Sequence, residues 1–260
     1  MPIRIEQSDA VAHVVLDAPR RLNPLSSATL AALQAALDEL AARADVRVIV
    51  LRAEGRAFSA GHDLAEISAA RAGADKGRAR LEALFDQCAG LMQTILRQPQ
   101  PVIASVQGLA AAAGCQLVAS CDLAVAGETA RFGVNGVNIG LFCSTPMVAL
   151  SRNIGRKRAF ELLTTGDFMT ADEARQAGLV NRVVADDRLA QETGRLAAQI
   201  AGKLGVAVRI GKRAFYDQLE MPLSEAYDFT GRAIVANMME DDTAEGIAAF
   251  LEKRDPKWEL

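Results

Sequence analysis

PVIASVQGLAAAAGCQLVASCDLAVA, residues 101–126, carries the pattern that decides the fold. It opens on a short apolar run that reads as a buried strand. Gly108 ends the strand zone. Four alanines and Gly114 follow before the first polar side chain, Gln116. Ala110–Gly114 read as the start of a helix whose first turns carry almost no side chain. A helix N-terminus offers unpaired backbone N–H groups and a partial positive charge. Bare residues there let a ligand oxygen reach those N–H groups, the architecture of an oxyanion site. Tight helix–sheet packing welcomes alanine and glycine equally, so this stretch alone leaves both readings open.

A second stretch repeats the pattern. AEGRAFSAGHDLAEI, residues 53–67, also runs strand, small-residue turn, helix. Ala60 and Gly61 leave backbone exposed just ahead of the helix. Two such turns, each following an apolar strand, are able to aim two N–H groups at one carbonyl oxygen.

Around these stretches the chain alternates strand and helix. Residues 3–7 and 11–17 read as a hairpin. A helix follows, capped by Ser26 or Ser27, with Leu30, Leu33, Leu37 and Leu40 at helical spacing. VRVIVLRAEG is a buried strand, a second long helix stops before Pro99, and GLVNRVV is one more strand. Segments 187–202, 205–219, 223–239 and 242–253 are helical. Residues 1–186 are therefore expected to form an α/β core of repeated β–β–α units, and 187–260 a helical region. AARAGADKGRAR, residues 69–80, reads as a mobile surface loop.

Composition narrows the function. The 260 residues are 50% hydrophobic, enough for one substantial core, with net charge −3. Nothing suggests a nucleic-acid footprint, and apolar runs are too short for a membrane span. The first residues lack signal-peptide character, so a cytoplasmic protein is expected. Cys88, Cys115, Cys121 and Cys143 show no CxxC pairing and read as reduced thiols. With only His13 and His62, no His-rich metal site is expected.

RAFSAGHDL and the 101–126 stretch, with FGVNGVNIG, LTTGDFMTADEARQAGLVNRVV and EGIAAFLEKRDPKW, resemble the enoyl-CoA hydratase/isomerase (crotonase) superfamily. The resemblance implies a spiral of β–β–α turns and a C-terminal region that builds homotrimers or hexamers. It implies an acyl-CoA thioester as ligand, coenzyme A entering as part of the substrate and no permanently bound cofactor. The thioester oxygen would sit between the backbone N–H groups of His62 and Ala113. Ala60, Asp63 and Leu64 match the family's adenine pocket. Arg20, Arg21 and Leu22, in PRRLNPL, match its first CoA-contacting loop. Phe250 and Lys253 match residues that reach a CoA bound to a neighbouring subunit.

The sequence departs from the family where hydratases carry two glutamates, in GGGCEL and FGQPEINIG. Here those positions are Gln116 and Gly136. Gln116 keeps the shape of a glutamate but takes no proton near neutral pH. Loss of one positioned acid or base typically costs about 10²–10⁴ in rate, so hydration is expected to be weak or lost. Dienoyl-CoA isomerases add an aspartate where this chain has Ser144. His62 resembles the GHD of methylmalonyl-CoA decarboxylases, whose partner tyrosine falls at Cys143. Cys143 and Ser144 would face the acyl group, the thiol as a speculative nucleophile. Asn135 and Asn138 are further polar candidates; Asp122 reads as structural. Residual hydratase or isomerase, decarboxylase-like lyase, and non-catalytic thioester binder all remain open on these residues.

Overall fold

The computed structural model describes residues 2–258. Its strands are β1 (Ile3–Ser8), β2 (Val11–Leu16), β3 (Val48–Ala53), β4 (Ala57–Ser59), β5 (Val102–Val106), β6 (Leu109–Ala111), β7 (Leu123–Gly127), β8 (Arg131–Gly133), β9 (Phe168–Thr170) and β10 (Arg182–Val184). Its helices are α1 (Ser27–Ala41), α2 (Leu64–Arg71), α3 (Arg78–Arg97), α4 (Ala113–Ser120), α5 (Pro146–Asn153), α6 (Arg156–Thr165), α7 (Ala171–Ala177), α8 (Leu189–Ala201), α9 (Gly205–Gln218), α10 (Leu223–Met238) and α11 (Asp241–Glu252).

Two sheets result. One has the order β1-β2-β3-β5-β7-β10 and the other β4-β6-β8-β9. The β1–β2 and β8–β9 pairs are antiparallel, and the remaining pairs are parallel. The pairs β3–β4, β5–β6 and β7–β8 each lay one strand in the large sheet and the next in the small sheet, then cross over through helix. This is the α/β spiral of β–β–α units expected from the sequence.

The small sheet corrects one expectation. Leu109–Ala111 are a strand, paired with β4 and β8, and the helix starts only at Ala113. Pairing on both sides overrides alanine's helical preference. The 69–80 stretch is likewise more ordered than expected. Only residues 72–77 lie outside helices, and the Asp75 carboxylate accepts from the N–H groups of Gly77 and Ala79 at 2.9 and 3.1 Å.

The large sheet is covered on both faces, which explains why β3 is apolar on both. Ile49 and Leu51 face the main core with Leu33, Leu37, Leu91 and Ile95. Val48 and Val50 face Leu189, Leu196 and Ala197 of α8. So α8, which the sequence places at the start of the helical region, lies against the large sheet. The helices after it are attached mainly through α9. There Lys212 Nζ and Tyr216 Oη donate to the Asp122 carboxylate at 2.7 and 2.8 Å, and the Val102 N–H donates at 2.6 Å. Lys212 is 6% exposed and also donates to the carbonyls of Ile95 and Gln100. Burial pulls the ammonium and the carboxylate toward their neutral forms, and their mutual attraction opposes it. Removing one member of such a pair typically costs about 3–5 kcal/mol. Beyond it, α10 packs on α9, and α11 on α10. Among the described residues no helix is long and apolar enough to cross a membrane.

Candidate functional site

The two small-residue turns meet. After β4 the chain passes Ala60, Gly61 and His62 into α2, whose N-cap Asp63 accepts from Ala65 N–H at 3.1 Å. After β6 it passes Ala112 into α4. Gly61 has φ +91°, and a Cβ on it would lie 2.9 Å from the Ala111 oxygen and 3.3 Å from the Ala113 nitrogen. A Cβ on Gly114 would run into the Ser59 backbone. Packing therefore explains these glycines. Ala110, Ala111 and Ala113 are buried as well, so close packing accounts for them, and Ala112 alone is half-buried. Ala112 has φ +47° and ψ −117°, a conformation natural to glycine, and it turns the chain so that Ala113 opens the helix. Neither His62 N–H nor Ala113 N–H has a backbone acceptor among the described residues. Two free donors on touching turns form a geometry suited to one carbonyl or enolate oxygen.

The side chains around these donors are unusual in what they leave unpaired. His62 Nδ1 lies 3.0 Å from the Leu25 carbonyl oxygen, and its ring meets Phe85 edge-on, centroids 5.2 Å apart. Its Nε2 is buried without a partner. Burial lowers the His62 pKa below the usual imidazole range, against the Leu25 bond and the Glu66 charge, which raise it. Gln116, on α4, is 5% exposed, and its Oε1 also lacks a partner.

Gly136 lies in a 3-10 turn, Asn135–Ile139. A Cβ there would approach the Leu141 oxygen to 2.6 Å and Cys143 Sγ to 2.8 Å. Burial raises the Cys143 thiol pKa, partly offset by the Gly136 N–H, so thiolate is scarce. No hydrogen bond joins it to His62, whose Nε2 is unpaired. Cys115 is pushed up to about 12 by burial. Ser144 is exposed and its hydroxyl donates to the Phe142 carbonyl; Asn138 donates to the Gly166 carbonyl. No cluster of three or more His, Cys, Asp or Glu that could hold a metal occurs among the described residues.

Six of the eight expected CoA-contacting residues gather beside the first turn. Leu22, at φ +59°, accepts from Ala60 N–H at 2.9 Å. Arg21 pairs with Asp63, and Leu64 is exposed next to it. Arg20 shares the 3-10 turn Pro19–Arg21. Phe250 and Lys253 stand apart, on and just after α11. A cavity of about 370 Å³ lies between α2 and α3, with Ser27, Glu66, Ile67, Arg80 and Leu84 in its wall.

Four supporting residues escape sequence reasoning. Ser59 Oγ accepts from Gly61 N–H at 3.2 Å and donates to the Asn23 carbonyl at 2.8 Å. Asn23 Nδ2 reaches the carbonyls of Glu54 and Ala57. Leu25 and Phe85 hold the His62 ring. Only Asn23 left a signal, an asparagine before proline in a turn-like run.

Comparison with known proteins places the chain among relatives. The sequence model of the family described as enoyl-CoA hydratase/isomerase matches residues 6–260. The chain is 46% identical over 257 residues to the Homo sapiens "Enoyl-CoA hydratase domain-containing protein 3, mitochondrial", covering 99% of this chain and 83% of that protein. Its human crystal structure superposes with TM-score 0.94, at 45% identity, covering 99% of this chain and 100% of that one. A crystal structure of an enoyl-CoA hydratase from Mycobacterium smegmatis superposes with TM-score 0.95 at 49% identity, covering 99% of both chains.

Proposed function

Because the chain belongs to the enoyl-CoA hydratase/isomerase family, we propose that it binds an acyl-CoA thioester with the carbonyl oxygen between the N–H groups of His62 and Ala113. The observation that carries this reading is the contact of the two turns across Gly61, with both donors unpaired. Donors fixed in place before the reaction stabilise charge that develops on the thioester oxygen. Coenzyme A enters with the substrate. Arg20, Arg21, Leu22, Ala60, Asp63 and Leu64 meet its nucleotide end, where guanidinium groups match phosphate.

Hydration is the weak activity of this site. Gln116 and Gly136 supply neither acid nor base, while chemistry through a thioester enolate needs only the oxygen site and one proton acceptor. Self-association completes the site. Phe250, 83% exposed, and Lys253 would meet CoA held by a neighbouring copy in a homotrimer or hexamer. Exposed Leu223, Tyr227, Met239 and Leu251 support that assembly.

Thermal unfolding with acetyl-CoA tests the binding. A ligand that binds only the folded state raises Tm, and Arg21→Glu or Lys253→Glu reduces the rise. No rise at millimolar ligand overturns the reading. Light scattering at micromolar protein is expected to give three or six copies; a monomer overturns the role of Phe250 and Lys253.

A further inference from the structure

Three buried side-chain polar atoms among the described residues have no partner: His13 Nδ1, His62 Nε2 and Gln116 Oε1. His13 stands on β2, opposite Glu6 of the β1–β2 hairpin. Gln116 is beside the acyl site but is an amide, which takes no proton. His62 alone combines a free basic atom with a place in the oxygen site. We infer that the His62 imidazole takes a proton from the α-carbon of the bound acyl group. The inference rests on the thioester reading above and adds the residue that performs the chemistry.

The tautomer follows from one contact. A carbonyl oxygen accepts only, so the nitrogen 3.0 Å from the Leu25 oxygen carries the ring proton. Nε2 then bears the lone pair. Leu25 and the edge of Phe85 hold the ring, and Glu66 is the titratable group whose charge acts on it. The Glu66 carboxylate is itself held by the N–H and hydroxyl of Ser27. Burial keeps the imidazole neutral at pH 7, the form that accepts a proton.

Position follows from the chain. In the thioester reading the residue whose backbone N–H meets the oxygen also carries the ring, which puts the imidazole on the same turn as the reacting carbons. The cavity that suits the rest of the acyl chain is walled by Glu66, Ile67 and Leu84. Phe85, whose ring meets His62, follows Leu84 of that wall on α3. Phe85 is 36% exposed. Because Nε2 is buried, the step requires a side chain over it to move.

In the step, the α C–H bond breaks and its proton goes to Nε2. The electron pair moves into the new C–C double bond, and the carbonyl electrons move to oxygen, where the N–H groups of His62 and Ala113 receive the charge. Return of a solvent-derived proton regenerates the thioester.

The experiment is α-deuteration of butyryl-CoA in D2O, followed by mass spectrometry, beside the Tm rise produced by the same ligand. His62→Asn keeps the backbone N–H and places an amide N–H toward Leu25, but removes Nε2. Its deuteration rate is expected to fall by about 10² or more, the usual worth of a positioned base, with the Tm rise retained. In the wild type the rate rises with pH through an imidazole pKa below 6.5 and then levels. His62→Gln serves as the second variant if His62→Asn does not fold. A wild type without a Tm rise overturns the binding reading itself. A wild type that binds without deuteration, or a His62 variant within twofold of it, overturns the inference and leaves His62 a backbone donor only.

Discussion

Gln116 and Gly136 are the positions that the sequence resemblance matches to the two hydratase glutamates, and the structure treats them differently. At Gln116 the side chain keeps the length and hydrogen-bonding shape of a glutamate, and α4 accommodates it fully buried. At Gly136 the space itself is gone. The Leu141 carbonyl oxygen and Cys143 sulfur crowd the place of a Cβ, at 2.6 and 2.8 Å, although the glycine's φ lies outside the left-handed region. One position differs by an atom type and the other by the course of the backbone around it. Chemistry restored by substitution is therefore available at the first position and closed at the second.

The largest expected effect tests that contrast directly. Hydration of crotonyl-CoA by the wild type should lie at least roughly 10²–10⁴ below that of a hydratase with both glutamates, measured side by side. The Gln116→Glu, Gly136→Glu double variant should not recover it, because the second glutamate has no room. Efficient wild-type hydration would break the account of the site, and recovery by the double variant would break the account of Gly136.

Stability separates the two positions next. Gly136→Ala forces a methyl against the Leu141 oxygen and Cys143 sulfur, and should lower stability by about 1–3 kcal/mol in denaturant titration. An unchanged midpoint would show that the 135–143 turn yields freely. Gln116→Glu should instead show a pH-dependent cost. Burial raises a carboxyl pKa above its unfolded value of about 4.3. That raised pKa favours the folded state at low pH, and the benefit is lost as pH rises through the folded value. The stability gap to wild type, read by denaturant titration, should thus widen between pH 4 and pH 8, by about 1.4 kcal/mol per unit of raised pKa. A gap independent of pH would place the new carboxylate in water.

The smallest effect concerns the Ala112 turn, one helical turn ahead of Gln116. Ala112 holds φ +47° and ψ −117° at a cost of order 1–3 kcal/mol. Ala112→Gly relieves that strain but loosens the unfolded chain, for a net gain of about 1 kcal/mol. A loss of stability would mean that the Ala112 methyl, packed toward Gly61, matters more than the backbone.

Much of this was legible before any coordinates. The Leu30, Leu33, Leu37, Leu40 spacing gave α1, and Ser26 caps it, accepting from Thr29 N–H at 3.2 Å. The two small-residue turns stood out in the sequence, and the structure brings them into contact at Gly61. The small sheet was hidden because its strands are three residues long, too short for alternation to show, and because Ala110 and Ala111 favour helix alone. The partners of the His62 ring were hidden for another reason. Leu25 acts through a carbonyl that every residue has, and Phe85 is an ordinary apolar residue on an ordinary helix face. The crowding at Gly136 was invisible because it comes from chain that returns five to seven residues later.

Asp122 is joined to Lys212 and Tyr216 across separations of 90 and 94 residues. During synthesis the chain therefore lays down both sheets while the carboxylate at the start of β7 still lacks its cation. Until α9 leaves the ribosome, that edge must keep water or a protonated acid. The final closure of the core waits on a helix outside it, and the nascent protein carries one incomplete corner for about a third of its length.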